Sequence, residues 1–241
     1  MSNPLLGEFL GTMMLIILGD GVVANVVLAK NKGQGSGWIV ITTGWAIAVV
    51  IGVFTAISAG SKQADINPAV TLAKTIMGSY AFPQAIVTMV AQVAGAFVGA
   101  VIVWLAYLNH WEPTTDAGLK LAVFSTGPAI RNTVNNLITE IIGTFVLVAG
   151  VGAIFSGATG GNPATGLGPY LVGMLVWGIG LSLGGPTGYA INPARDLGPR
   201  IAHQLLPIPG KGSSDWNYGW IPVVGPFIGG ALGAFFWMAV F

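Results

Sequence analysis

The sequence predicts an all-α membrane protein of six transmembrane helices and two shorter re-entrant half-helices, arranged as an inverted 3+3 repeat. Three observations predict it: apolar stretches of about bilayer length, a charge content far below that of a water-soluble domain, and one set of motifs that occurs twice. Of 241 residues, 54% are hydrophobic and 7% are charged, and mean hydropathy is +0.77. Soluble domains carry about a quarter charged residues, so lipid rather than water must solvate most of this surface.

The elements follow in order. Met1-Ser2-Asn3-Pro4 lacks a basic stretch, and the apolar run over 5–28 is too long for a cleavable signal, so it is expected to stay as the first span. A Gly-, Lys- and Asn-bearing connection over 29–37 leads to a second span over 38–59. The segment 68–77 is moderately apolar but too short to cross a bilayer, and it follows a Gly- and Ser-bearing loop, which predicts a re-entrant half-helix. A third span over 83–108 precedes the longest polar stretch, 110–136. Spans four and five are expected over 137–155 and 170–185, a second half-helix over 193–206, and the last span over 220–241.

Internal repetition orders these elements. Glu8-Phe9-Leu10-Gly11-Thr12 recurs as Glu140-Ile141-Ile142-Gly143-Thr144, and Ile66-Asn67-Pro68-Ala69 recurs as Ile191-Asn192-Pro193-Ala194. Gly95-Ala96-Phe97-Val98-Gly99 is matched by Gly225-Pro226-Phe227-Ile228-Gly229. The motifs keep their order and nearly their spacing. The chain therefore reads as one membrane domain, 1–241, with repeats over approximately 4–109 and 136–241 joined by a linker over approximately 110–135. Three spans per half force the second half to enter from the opposite side.

Asparagine is a favoured helix N-cap, and proline suits the first helical turn, where its missing N–H would have no partner anyway. Asn67-Pro68-Ala69 and Asn192-Pro193-Ala194 are thus expected to start the two half-helices. Their N-termini would meet near the midplane, each with roughly half a positive charge that repels cations and protons. Asparagine amide donors could then face a lumen and bond a passing hydroxyl. A single Asn-Pro would mean only that a helix begins. A third copy, Asn162-Pro163-Ala164-Thr165, breaks the repeat and runs into Gly166 and Gly168, so it reads as a loop.

Charged residues inside the spans carry the next inference. Arg195 lies on the first turn of the second half-helix, and a charge at that depth is costly unless it faces a water-filled path. Glu8 and Glu140 occupy equivalent places in the two halves. Equivalent acids are better explained as acceptors for the backbone N–H groups of the re-entrant loops than as a proton relay. Gly-x-x-x-Gly spacing at Gly95/Gly99 and Gly225/Gly229/Gly233 lets spans pack backbone to backbone. Asp20 has no counterpart in this scheme.

Other classes find little support. A formal net charge of +1 makes no field for nucleic acid, so lipid, like subunits and small solutes are the expected partners. There is no cysteine, and His110 and His203 are scattered, so neither a metal site nor another cofactor is expected. No Walker loop or plausible Ser/His/Asp set points to an enzyme. A coupled transporter would share inverted repeats but needs an ion site and spare intramembrane acids. A membrane junction protein would not require the residues that follow.

The run Gly188-Tyr189-Ala190-Ile191-Asn192-Pro193-Ala194-Arg195-Asp196-Leu197-Gly198-Pro199-Arg200 closely resembles the second signature of the major intrinsic protein (aquaporin) family, and Asp196 resembles its glycerol-facilitator branch. The resemblance covers essentially the whole chain, from Glu8 to Gly229. It implies an aquaporin-like fold, a homotetramer in the plasma membrane with cytoplasmic termini, and a passive channel for glycerol, water and other small neutral solutes. Undissociated lactic acid, or mainly water, is the alternative cargo. It implies a selectivity filter of Trp45, Gly180, Tyr189 and Arg195, with the glycine leaving room where water channels have histidine. It also implies lumen-facing carbonyls at Gln63, Ala64, Asp65, Gly188, Tyr189 and Ala190, from loops supported by Glu8 and Glu140. A diol or triol fits such a site, with carbon on the aromatic wedge and hydroxyls on Arg195. Lys62-Gln63-Ala64-Asp65 departs from the family pattern, and Asp65, or at least its backbone carbonyl, is expected to face the cytoplasmic mouth and disfavour anions there.

Overall fold

A computed structural model describes residues 3–159, 163, 164 and 166–241. The described residues form helices and connecting loops, with no strand among them. The first half contains α1 (Pro4–Val27), α2 (Trp38–Ser58), α3 (Pro68–Ile76) and α4 (Phe82–Ala106). Two short helices follow, α5 (Leu108–Trp111) and α6 (Ala117–Phe124). The second half contains α7 (Thr133–Ile154), α8 (Leu167–Leu183), α9 (Pro193–Leu205), α10 (Trp216–Gly219) and α11 (Ile221–Val240). Of the third Asn-Pro copy, Asn162 and Thr165 lie outside the described residues.

Among the described residues, five helical stretches are long and apolar enough to cross a membrane: α1, α2, α4, α7 and the α10–α11 stretch Trp216–Val240. The fifth expected span is α8, an apolar helix of 17 residues, about 26 Å long at 1.5 Å per residue. At 9 and 13 residues, α3 and α9 are too short to cross. Side chains such as Phe82, Val90 and Phe235 stand exposed on the spans, as a lipid-solvated surface requires.

Small residues bring the spans together. A Cβ on Gly95 would lie 2.1 Å from the Phe9 carbonyl oxygen, and one on Gly229 would lie 2.3 Å from that of Ile141, so α4 touches α1, and α11 touches α7, at backbone level. This packing sets Gly95 against Gly229, because Phe9 and Ile141 are the equivalent partners. The motif match of Gly95 to Gly225 is therefore one helical turn out of register with the packing. Each half-helix docks on the last span of the other half, α9 on α4 and α3 on α11, which interlocks the halves.

The connection over 110–136 is more ordered than its polarity suggests. Trp111 and Phe124 are buried and stack at 5.5 Å, and α6 packs on α1 and α9. A few apolar residues in a polar stretch suffice to make it a cap over α9.

Candidate functional site

The two loops that precede α3 and α9 have the same unusual backbone. Ala64 and Ile66 adopt φ of 44° and 45°, and Tyr189 and Ile191 adopt 39° and 43°. A left-handed conformation is strained for a β-branched residue and persists only where its surroundings hold it. The buried acids do so. Glu8 accepts from the backbone N–H groups of Asp65 (2.9 Å) and Ile66 (2.8 Å). Glu140 accepts from those of Ala190 and Ile191, both at 3.0 Å. Glu8 is braced further by the Ser61 hydroxyl and by the Gln92 amide, which donates to it at 2.8 Å.

Asn67 and Asn192 cap α3 and α9. The Asn67 side-chain oxygen accepts from Ala69 N–H at 2.9 Å, and that of Asn192 from Ala194 N–H at 3.0 Å. Their amide nitrogens cross over: Asn67 donates to the Ile191 carbonyl at 2.8 Å, and Asn192 to the Ile66 carbonyl at 2.9 Å. One N–H of each amide is thus spent on the opposite loop, leaving a single one for any other acceptor. Pro68 and Pro193 occupy the first helical turns, and Ala69 and Ala194 are fully buried behind the asparagines.

A cavity of about 510 Å³ runs past this crossing. Its lining includes Arg195, Trp45 and Tyr189, the capping Asn67 and Asn192, and Lys62, Gln63 and Lys74. Ala64, Asp65 and Ala190 also line it. Gly180 and Gly188 are not among its lining residues.

The guanidinium carbon of Arg195 sits 4.2 Å from the centre of the Trp45 ring, within cation–π range. Arg195 donates weakly to the Phe124 carbonyl at 3.4 Å, and its Nη1 is 3.7 Å from Oδ1 of Asp20. The space beside Gly180 is not open lumen. Tyr189 occupies it, meeting Trp38 edge to face at 5.9 Å, while the Trp38 indole N–H donates to the Gly180 carbonyl at 3.0 Å. Glycine at 180 is therefore a seat for an aromatic ring, which corrects the expectation of vacant space. Gly188, with φ of 83°, backs onto Thr126.

Behind Arg195, Asp196 is fully buried and accepts from Thr126 N–H and hydroxyl, each at 2.8 Å, and from Arg200 at 2.7 Å. Arg200 also donates to the carbonyls of Thr126 and Ser214, tying α9 to the linker and to the loop before α10.

Asp65 is placed otherwise than its position before the first Asn-Pro-Ala suggests. The Asp65 side chain is not a free charge in the mouth. It pairs with Lys74 and accepts from the hydroxyls of Tyr80 at 2.7 Å and Thr71 at 2.9 Å, while Lys74 also donates to the Gln63 carbonyl at 2.9 Å. Lys74 lies two turns after Asn67 on α3, and that helix brings its ammonium back to the loop.

Trp38, Gln92 and Thr126 join the site without having been expected there, and Asp20 had no expected role. Trp38 stands seven residues before Trp45, two turns along one helix face, a spacing that could have flagged it. The others carry no comparable local signal.

Together the helices define a multi-pass integral membrane protein built around paired half-helices and one shared cavity. The chain belongs to the major intrinsic protein family, whose family model matches residues 1–237. It is 60% identical over 230 residues to the probable glycerol uptake facilitator protein of Thermotoga maritima, with 95% of each chain covered. It is 54% identical over 234 residues to glycerol uptake facilitator protein 3 of Lactiplantibacillus plantarum, covering 97% of this chain and 95% of that one. Among solved structures it is similar to the X-ray structure of the aquaglyceroporin from Plasmodium falciparum, with a TM-score of 0.84 at 26% identity, over 98% of this chain and 95% of that chain.

Proposed function

We propose that this protein is a passive channel for glycerol and related small neutral solutes, with water, that excludes ions and protons, and that it acts as a channel rather than an enzyme. The observation that carries the reading is a single cavity lined by Arg195, Trp45 and Tyr189, by both crossed asparagines and by Lys74. Two relatives at 54–60% identity bear the name glycerol uptake facilitator, which supports glycerol as the solute.

In this reading Arg195, Trp45, Tyr189 and Gly180 form the selectivity filter. The Trp45 and Tyr189 rings receive the carbon side of a polyol, and the Arg195 donors receive its hydroxyls. Gly180 acts indirectly, by letting the Tyr189 ring lie back. Carbonyls of Gln63, Ala64, Asp65, Tyr189 and Ala190 supply acceptors along the path, from loops braced by Glu8 and Glu140, while Gly188 lies outside the cavity lining. At the crossing, the N-termini of α3 and α9 face each other, and their partial positive charges disfavour cations and hydronium. The remaining N–H of each asparagine bonds the solute and orients it.

The halves 4–109 and 136–241, joined by the linker 110–135, form one channel domain, and we assign it to the plasma membrane as a homotetramer in lipid with a pore in each subunit. Stopped-flow light scattering of proteoliposomes under an inward glycerol gradient tests the channel assignment. Rapid reswelling that is unsaturated and independent of ion gradients is the expected result; saturable, ion-coupled uptake would refute it.

A further inference from the structure

Asp20 is an acid in the last third of the membrane-spanning helix α1. It is fully buried on α1, with its carboxylate pointed at Arg195, and the Nη1–Oδ1 separation is 3.7 Å. Among the described residues neither carboxylate oxygen accepts a hydrogen bond from the protein, so no other donor neutralises it. The nearby acid Asp196 is already committed to Arg200 and Thr126. Gly19, next to Asp20, completes the arrangement: a Cβ there would lie 2.3 Å from the Trp45 ring. Consecutive residues of α1 thus support both partners of the stack, with Gly19 beneath the indole and Asp20 behind the guanidinium.

We propose that Asp20 is the counter-charge of Arg195 and sets the charge selectivity of the constriction. This rests on the channel reading above and deepens it. An unpaired guanidinium lining a low-dielectric passage attracts anions and offers a planar carboxylate two parallel N–H donors. With a carboxylate 3.7 Å behind it, the pair presents a dipole to the lumen, and its field falls off faster than that of a single charge. The donors of Arg195 stay available to hydroxyls while its attraction for anions is cancelled. Cation exclusion then falls on the half-helix termini, and anion exclusion on Asp20. Residue 20 is in this sense a positioning and specificity residue that acts through Arg195 without touching the solute.

The test uses the full chain in proteoliposomes, with glycerol-driven swelling measured in sodium formate at about pH 7, where formate itself is an anion. Sodium chloride of equal ionic strength is the control. Formate is expected to leave wild-type glycerol flux unchanged within about twofold, and to inhibit Asp20→Asn roughly tenfold more strongly than it inhibits wild type. Equal sensitivity of the two proteins to formate would overturn the assignment. Should Asp20→Asn fail to fold, Asp20→Asn combined with Arg195→Gln decides the matter. Recovery of folded protein means that the single variant failed through an unpaired buried guanidinium, as proposed; continued failure means that Asp20 serves packing alone, and the proposal falls. Loss of wild-type glycerol flux would remove the channel reading and this inference together, whereas a formate-insensitive Asp20→Asn with normal wild-type flux removes only the role of Asp20.

Discussion

The Tyr189 ring fills the space that a side chain on Gly180 would need, its Cζ lying 2.8 Å from where a Cβ would stand. Two residues in different elements therefore act as one. The glycine of α8 is required by the aromatic of the loop before α9, and Trp38 on α2 closes the same contact.

Gly180→Ala should displace Tyr189 toward the cavity, because the ring is also held against Trp38 and has little room to retreat. Overpacking of this kind costs about 1–3 kcal/mol. Glycerol flux is expected to fall several-fold and water flux to fall less, as read by swelling of the same proteoliposomes with each solute. Gly180→His with Tyr189→Phe should show the same bias more strongly. Parallel loss of both fluxes would contradict the filter assignment.

Glu140→Gln tests the loop brace. Two oxygens now receive two backbone N–H groups, and an amide keeps only one oxygen and points an NH2 at the other donor. Leaving a buried donor unpaired costs about 1–3 kcal/mol, here at Ala190 or at the left-handed Ile191. The expected outcome is a lower unfolding temperature in detergent together with slower glycerol flux. An unchanged unfolding temperature would show that the loop holds itself.

Lys74→Met removes the cation beside Asp65 and leaves a buried carboxylate with only the Tyr80 and Thr71 hydroxyls. Breaking a buried pair from one side costs about 3–5 kcal/mol, and Lys74 is partly exposed, so the lower end applies. Asp65→Asn should be milder, since two hydroxyl partners remain. Solute charge preference in Asp65→Asn should shift toward anions, because the Lys74 ammonium that lines the cavity loses its carboxylate partner; an unchanged preference would show that this pair does not set the charge of the mouth.

Acid should weaken the cap at the far end of α9. His203 lies in the last turn of this non-spanning helix, with its Nδ1 2.8 Å from the Ser214 hydroxyl. Burial, with the charges of Lys211 and Arg200 nearby, pulls its pKa down from 6.5 to about 4. The folded state thus binds the proton less readily than the unfolded chain. Its contribution is present in full above about pH 6.5 and is lost as pH falls toward about 4, up to about 3 kcal/mol in all. Thermal unfolding of detergent-solubilised protein between these limits should fall steeply in wild type and less in His203→Gln.

The spans, the half-helices and the equivalence of Glu8 to Glu140 and of Asn67 to Asn192 were legible in the order of residues, because each leaves a local or repeated trace. Bilayer thickness imposes the length of an apolar run, and a helix start demands a cap. Duplication then writes each of these signals twice. Tertiary structure alone decided that Asp65 is neutralised by Lys74, that Tyr189 fills the place beside Gly180, and that Asp20 stands behind Arg195. Those relations join residues whose separation in the chain carries no periodicity, and an acid in a span has the same letter whether it faces lumen, lipid or a guanidinium. What distinguishes the cases is the partner brought within about 4 Å, and only the packing of α1 and α9 around one cavity supplies it.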